Sequence, residues 1–207
     1  MRSRKHAQIR PSPVPVALLL IDVLTTFHFP DGDAILQHAR TIRDPLVRLK
    51  ARARKAGIPT LYVNDNFGDW RSEKEVLMGK CLEAPGADFV RPLLPDSEDY
   101  FVLKPMHSAF YMTPLEVLLL HLQVETLILT GLTSNSCITV TAHDANMRGF
   151  DIYVPSDCSS ARNAKEHTQA LAQLEAMAGA NLTPSTLLKL PNLIRSAQTS
   201  KKRAPLR

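Results

Sequence analysis

Residues 126–150 read TLILTGLTSNSCITVTAHDANMRGF, and the order of residue types in that stretch decides how the chain folds. The apolar run Leu127–Leu129 predicts a buried strand, Gly131 and the polar residues after it predict a turn, and from Cys137 onward the pattern is helical. A thiol therefore stands where a strand hands over to a helix. Unpaired N–H groups at a helix start carry partial positive charge, which favours ionisation of a cysteine placed there, and the thiolate is the nucleophilic form.

Working outward, PVALLLIDV (15–23) is a continuous apolar run of the kind found in strands buried on both faces, with Asp22 near its C-terminal end. The loop TTFHFPDGD leads into a helix over 34–56 with Ile35, Ile42, Leu46 and Leu49 on its apolar side; Pro45 is expected to break or kink it, and Gly57 to end it. PTLYVND is a second strand finishing at Asp65. Residues 66–99, with Pro85, Gly86, Pro92 and Pro95, predict a long irregular connection holding a short helix near 73–81, and connections of that length are usually functional or interfacial. DYFVLKP is a third strand ending at Lys104, and TPLEVLLLHLQ a helix with Pro114 in its first turn. Beyond the opening stretch, DIYVPSD is a fifth strand ending at Asp157, AKEHTQALAQLEAMAGA a helix, and NLTP (181–184) a short sixth strand.

Strands alternating with helices predict an α/β fold: a parallel sheet with right-handed crossovers and helices on both faces. Such sheets bind ligands beyond the carboxyl ends of their strands. Asp22, Lys104 and Cys137 all fall at or just after such ends, so a carboxylate, an ammonium and a thiol arrive at one edge.

Length and composition set the bounds. The 207 residues, 44% hydrophobic and 22% charged, fit one soluble domain, expected over 14–195 with basic tails at 1–13 and 196–207. The net charge of +5 comes from those ends: of 25 basic residues eight are Arg2, Arg4, Lys5, Arg10, Lys201, Lys202, Arg203 and Arg207, which leaves 17 against 20 acidic residues in the body. Nucleic acid is accordingly not an expected partner. No apolar run approaches the roughly 20 residues of a membrane span. The run after the basic start contains Asp22 and no small-residue cleavage site, so neither a membrane nor a secretory signal is expected and the protein is read as cytoplasmic. Three cysteines without a CxxC pair or a zinc-spaced His cluster argue against a disulfide framework or structural zinc, and Cys81 and Cys158 are read as core or loop residues.

A thiol that attacks an amide needs a base, a positive charge and donors for the tetrahedral oxyanion. Asp22 and Lys104 can supply the first two. Burial would raise the pKa of Asp22 and the neighbouring ammonium would lower it; residue types alone leave that balance open. Phe27, Phe67, Trp70, His107 and Phe110 sit in loops after the same strand ends and are candidates to line a pocket for a planar substrate, each equally a candidate for the core. His28 and His143 are read as bystanders, Asp144 and Arg148 as an i,i+4 ion pair, and Asp65 and Asp69 as hydrogen-bonding carboxylates rather than metal ligands.

In these motifs the chain resembles the isochorismatase-like cysteine hydrolases: LLLIDV and FPDG at strand one, YVNDNFGDWRSE after strand two, LKPMHSAFYMTPL at strand three, and GLTSNSCITVTAHDANMRGF around the thiol, over residues 14 to about 190. The resemblance implies a three-layer α/β/α fold on a mostly parallel six-stranded sheet. It also implies a catalytic triad of Asp22 as general base, Lys104 as electrostatic partner and Cys137 as nucleophile. A cis peptide between Leu132 and Thr133 and an oxyanion hole from the backbone N–H groups of Thr133 and Cys137 belong to the same implication. Family members that cleave a vinyl ether typically lack the cysteine, which is present here. Nicotinamidases typically bind a metal through an Asp and two His after strand two, and the segment Asn64–Trp70 has no histidine. The implied protein is a hydrolase of a small amide, ureide or carbamoyl compound, using water and needing no cofactor or metal. The alternatives are a nicotinamidase-like enzyme and a catalytically silent binding or scaffold protein. A homodimer or homotetramer is expected from the family habit and from the many Leu and Val residues of 115–122.

Overall fold

A computed structural model describes residues 14–69, 71 and 73–201. The N-terminal tail, Trp70, Ser72 and the last six residues lie outside them.

Five strands form one parallel row: β1 (Val16–Ile21), β2 (Thr60–Asp65), β3 (Tyr100–Lys104), β4 (Thr126–Leu132) and β5 (Asp151–Tyr153), in the order β3-β2-β1-β4-β5. β1 is central, registered Leu18 to Thr60 on one side and Leu18 to Ile128 on the other. All six of its residues are buried, as an uninterrupted apolar run requires. Side chains alternate across the sheet, so two cores result. Leu18, Leu20, Tyr62 and Ile128 face one of them; Ala17, Leu19, Ile21, Leu61, Val63, Leu127 and Leu129 face the other.

The first core is covered by α1 (Gly32–Lys55), α2 (Lys74–Glu83) and α3 (Ala87–Val90), and by a C-terminal helix, α7 (Leu190–Lys201). The second is covered by α4 (Leu115–His121), α5 (Thr139–Met147) and α6 (Ala164–Ala178). The expected three-layer α/β/α architecture is therefore present, with the crossovers placing helices on both faces. Among the described residues no helix is long and apolar enough to cross a membrane.

Four expectations need correction. Pro45 does not break α1, which runs through it. Leu36, Ala39, Ile42, Leu46, Leu49 and Ala53 form one buried stripe on both sides of the proline, and that burial outweighs the roughly 3 kcal/mol a helix-interior proline costs. The sixth strand is not 181–184 but β6 (Ser159–Ser160), while Asn181 makes only an isolated bridge to Tyr153. β5 pairs with Thr126–Ile128 and β6 with Gly131–Leu132, so the two short strands occupy successive parts of one edge of β4. The fifth strand stops at Tyr153 rather than Asp157, just ahead of Pro155, which has no N–H to offer the ladder. The ordered domain also passes residue 195, because α7 continues to Lys201 with Leu190, Leu193 and Ala197 buried on the first core.

Gly131 shows why β1 and β4 can meet so closely at their carboxyl ends. It has φ +108°, and a Cβ there would lie 2.1 Å from the Ile21 carbonyl oxygen. Only glycine fits that approach.

Candidate active site

Three parallel strands deliver the ionisable groups. Asp22 follows β1 in the left-handed region with φ 51°, a conformation costly for a residue with a Cβ and one that gathers at functional sites. Its Oδ1 accepts the Asp65 backbone N–H at 2.7 Å, and its Oδ2 lies 2.9 Å from Lys104 Nζ. Lys104, the last residue of β3, is fully buried. Its ammonium also reaches Asp65 Oδ2 at 3.4 Å, the Met106 carbonyl at 3.2 Å and Cys137 Sγ at 3.5 Å. A buried cation is tolerable only with such partners, and here they come from three strand ends and a loop.

Cys137 lies within a single π-helical turn, Ser134–Ile138, placed between β4 and α5. The peptide bond between Leu132 and Thr133 is cis, as the resemblance implied. The Ile138 N–H donates to the Thr133 carbonyl and the Thr139 hydroxyl to that of Ser134, which fixes the turn from inside. From outside, His167 of α6 holds Ser134: Nδ1 is 3.0 Å from the Ser134 hydroxyl and Nε2 is 3.1 Å from the Ser156 carbonyl. A carbonyl only accepts, so Nε2 carries the proton and Nδ1 accepts from the serine.

The electrostatics differ from those expected of a thiol at a helix start. Burial pushes the Cys137 thiol up to about 12, the Asp22 carboxylate adds to the rise, and Lys104 opposes it. Burial likewise raises Asp22 above the usual carboxylate range, against the pull of Lys104. For Lys104 burial acts downward, but Asp22, the thiol and Asp65 outweigh it and hold the ammonium above its ordinary value. The open balance at Asp22 is thus decided by burial. Burial disfavours the thiolate and raises the basicity of Asp22, while the surrounding acids favour the ammonium of Lys104.

A cavity of about 380 Å³ opens over these groups. It is lined by Asp22, Asp65, Cys137 and Thr133, by the apolar Phe29, Ile35, Phe67 and Leu132, and by Thr25, Ser136 and His107. His107 Nδ1 stands 3.9 Å from Cys137 Sγ and 3.5 Å from the Ser136 hydroxyl. Its loop is tied to α5, because Ser108 donates to the Asp144 carboxylate and the Ala109 N–H to the Thr141 hydroxyl. Asp144 also pairs with Arg148, the expected i,i+4 bridge.

Of the expected substrate-lining residues, Phe67 and His107 border the cavity. Trp70 lies outside the described residues. Phe27 and Phe110 do not border it: both are core. Phe27, 4% exposed, stands edge-on to Phe89, and its ring fills the space a Cβ on Gly86 would need. Phe110, 5% exposed, stacks on Phe150 with the Arg148 guanidinium over its ring. Phe29 and Thr25 carry no signal in the sequence that marks them as lining residues, and Ile35, expected on the apolar side of the first helix, borders the cavity instead of serving the core alone. His28 and His143 do not line the cavity. Asp65 and Asp69 accept hydrogen bonds from Phe67 and Arg71, and among the described residues no three His, Cys, Asp or Glu side chains gather in a metal-binding group.

A parallel α/β/α sheet with an acid, a lysine and a cysteine converging at its carboxyl edge defines a class of hydrolase scaffold. The isochorismatase domain matches residues 16–185, and the chain belongs to the isochorismatase-like hydrolase family. It is 35% identical over 167 residues to an uncharacterised isochorismatase family protein of Bacillus subtilis, covering 81% of this chain and 92% of that one. It is 26% identical over 171 residues to a maleamate amidohydrolase of Pseudomonas putida, covering 79% and 80%. The solved structure of an isochorismatase family protein from Desulfovibrio vulgaris superposes with a TM-score of 0.68 at 28% identity, over 88% of this chain and 99% of that one.

Proposed function

We propose that this hydrolase cleaves the C–N bond of a small amide, ureide or carbamoyl compound through an acyl-enzyme on Cys137. The observation that carries the reading is the convergence of Asp22 and Cys137 on the Lys104 ammonium, at 2.9 and 3.5 Å, with the carboxylate and the thiol both lining a cavity. Asp22 takes the thiol proton as Sγ bonds to the substrate carbonyl carbon. The oxyanion that forms is met by the backbone N–H groups of Thr133 and Cys137, and Lys104 offsets the negative charge that passes from the carboxylate to sulfur as the proton moves the other way. Protonated Asp22 then gives its proton to the departing nitrogen as the C–N bond breaks, leaving a thioester. Water, losing a proton to Asp22, attacks the thioester carbonyl; the acid is released and the thiol regains its proton.

Relatives named as amidohydrolases support the reaction class, and the thiol supports amide over vinyl-ether cleavage. Cys137→Ala is expected to abolish turnover of any amide found to be a substrate, and mass spectrometry of the native enzyme mixed with it should find an acyl adduct on Cys137. Undiminished turnover by the variant would remove the mechanism. Self-association belongs to the same reading: Val117 and Leu120 of α4 are 71% and 66% exposed, an apolar surface suited to a second copy in a homodimer or homotetramer.

A further inference from the structure

We propose that the amide accepted at Cys137 is electroneutral with an apolar body, and that Asp65 is the specificity residue that turns away amides carrying a carboxylate. The inference rests on Cys137 being the hydrolytic nucleophile and adds what the surrounding cavity selects.

Lys104 is fully buried and already held by Asp22, Asp65 and the Met106 carbonyl, so its charge is spent on the protein's own acids and is not offered to a substrate anion. Beside the thiol and the His107 ring, the cavity is faced by a second carboxylate. Asp65 sits at the end of β2 with its side chain 29% exposed; Oδ1 accepts the Phe67 N–H at 2.7 Å while Oδ2 leans on Lys104. Among the described residues no arginine borders the cavity. Arg162, just ahead of α6, is engaged by Asp31 at 3.0 Å and Glu166 at 2.6 Å. A substrate carboxylate would therefore meet a like charge across a cavity with apolar walls, where screening is weak. An amide NH₂, by contrast, can donate to Asp65. Phe29 and Phe67, 39% and 49% exposed, stand at this cavity and provide flat apolar surface for the rest of the molecule.

Two alkylating agents of nearly the same size test the charge rule without a known substrate. Iodoacetamide is neutral and carries an amide; iodoacetate is an anion; both transfer a two-carbon group to sulfur with loss of iodide. Labelling of Cys137, followed by peptide mass spectrometry on the full chain, should favour iodoacetamide over iodoacetate at least tenfold more than free cysteine does in the same buffer. Asp65→Asn should narrow that preference severalfold. An unchanged ratio relative to free cysteine, or a ratio unaffected by Asp65→Asn, would overturn the proposal. Turnover adds an independent arm: acrylamide should be hydrolysed at least tenfold more efficiently than maleamate, its carboxylate-bearing analogue, and equal or preferred turnover of maleamate would likewise overturn it. Selective labelling without turnover of any member of a broad panel of neutral and anionic amides, ureides and carbamoyl compounds would sink the hydrolytic reading, and this one with it as a statement about substrate.

Discussion

Cys137 occupies a place that disfavours its own ionisation, and the pH behaviour of the site follows from that. With the thiol pushed up to about 12, the proposed attack requires sulfur to lose its proton during the reaction rather than beforehand. In the proposed mechanism Asp22 has to be ionised to take that proton, so kcat/KM should rise with pH through the raised pKa of Asp22, stay level, and fall only once Lys104 loses its proton, above 10.5. Asp22→Asn is expected to lower kcat/KM by about 10²–10⁴-fold and to remove the acid limb. An acid limb that survives the substitution would reassign the base. At this scale Asp22, Lys104 and Cys137 were legible as a candidate set because each falls at or after a strand end on the same edge, a position that chain order alone reveals. The aromatic residues were not: Phe27, Phe29, Phe67 and Phe110 all follow strand ends, and a phenyl ring reads the same whether it faces a cavity or a core. Gly86, which makes room for Phe27, is far away in sequence and gives no sign of the contact.

The connecting elements decide how firmly the reactive turn is held. His167 links α6 to that turn and to the strand-end loop at Ser156, and burial lowers its pKa below the ordinary 6.5. A histidine depressed in the folded state contributes stability that is present above 6.5 and lost as pH falls through its folded pKa. Chemical denaturation between pH 7.5 and 5 should show stability falling below pH 6.5, and His167→Gln should flatten that part of the curve. At Gly131, alanine would place a Cβ on the Ile21 carbonyl at a φ that disfavours it, and Gly131→Ala should cost about 3 kcal/mol, read as a lower urea midpoint. Elements with strong apolar runs were predictable from periodicity. β6 was not, since two serines carry no strand pattern and pair only because β5 leaves part of the β4 edge open. α7 does place Leu190, Leu193 and Ala197 on one face, but Pro191 and the basic residues after it disguise the helix as the start of a tail.

At the level of the whole molecule, the alternation of strands and helices was enough to give the layers, while the surfaces that meet other molecules depend on which side chains the layers leave uncovered. On α4, Leu115 and Leu119 are buried and Val117 and Leu120 are not. Replacing both exposed residues with glutamate should lower the mass found by light scattering of the purified protein without altering its far-ultraviolet spectrum; an unchanged mass would place any subunit contact elsewhere. The parallel order β3-β2-β1-β4 has a further result. Every pairing in it joins segments distant along the chain, the slowest kind of contact to form as a polypeptide folds. Asp22, Lys104 and Cys137 come within reach of one another only after those pairings are complete. Regained turnover after dilution from denaturant would therefore mark the end of refolding and lag behind the return of helical signal, so that the enzyme's own chemistry times the closing of its sheet.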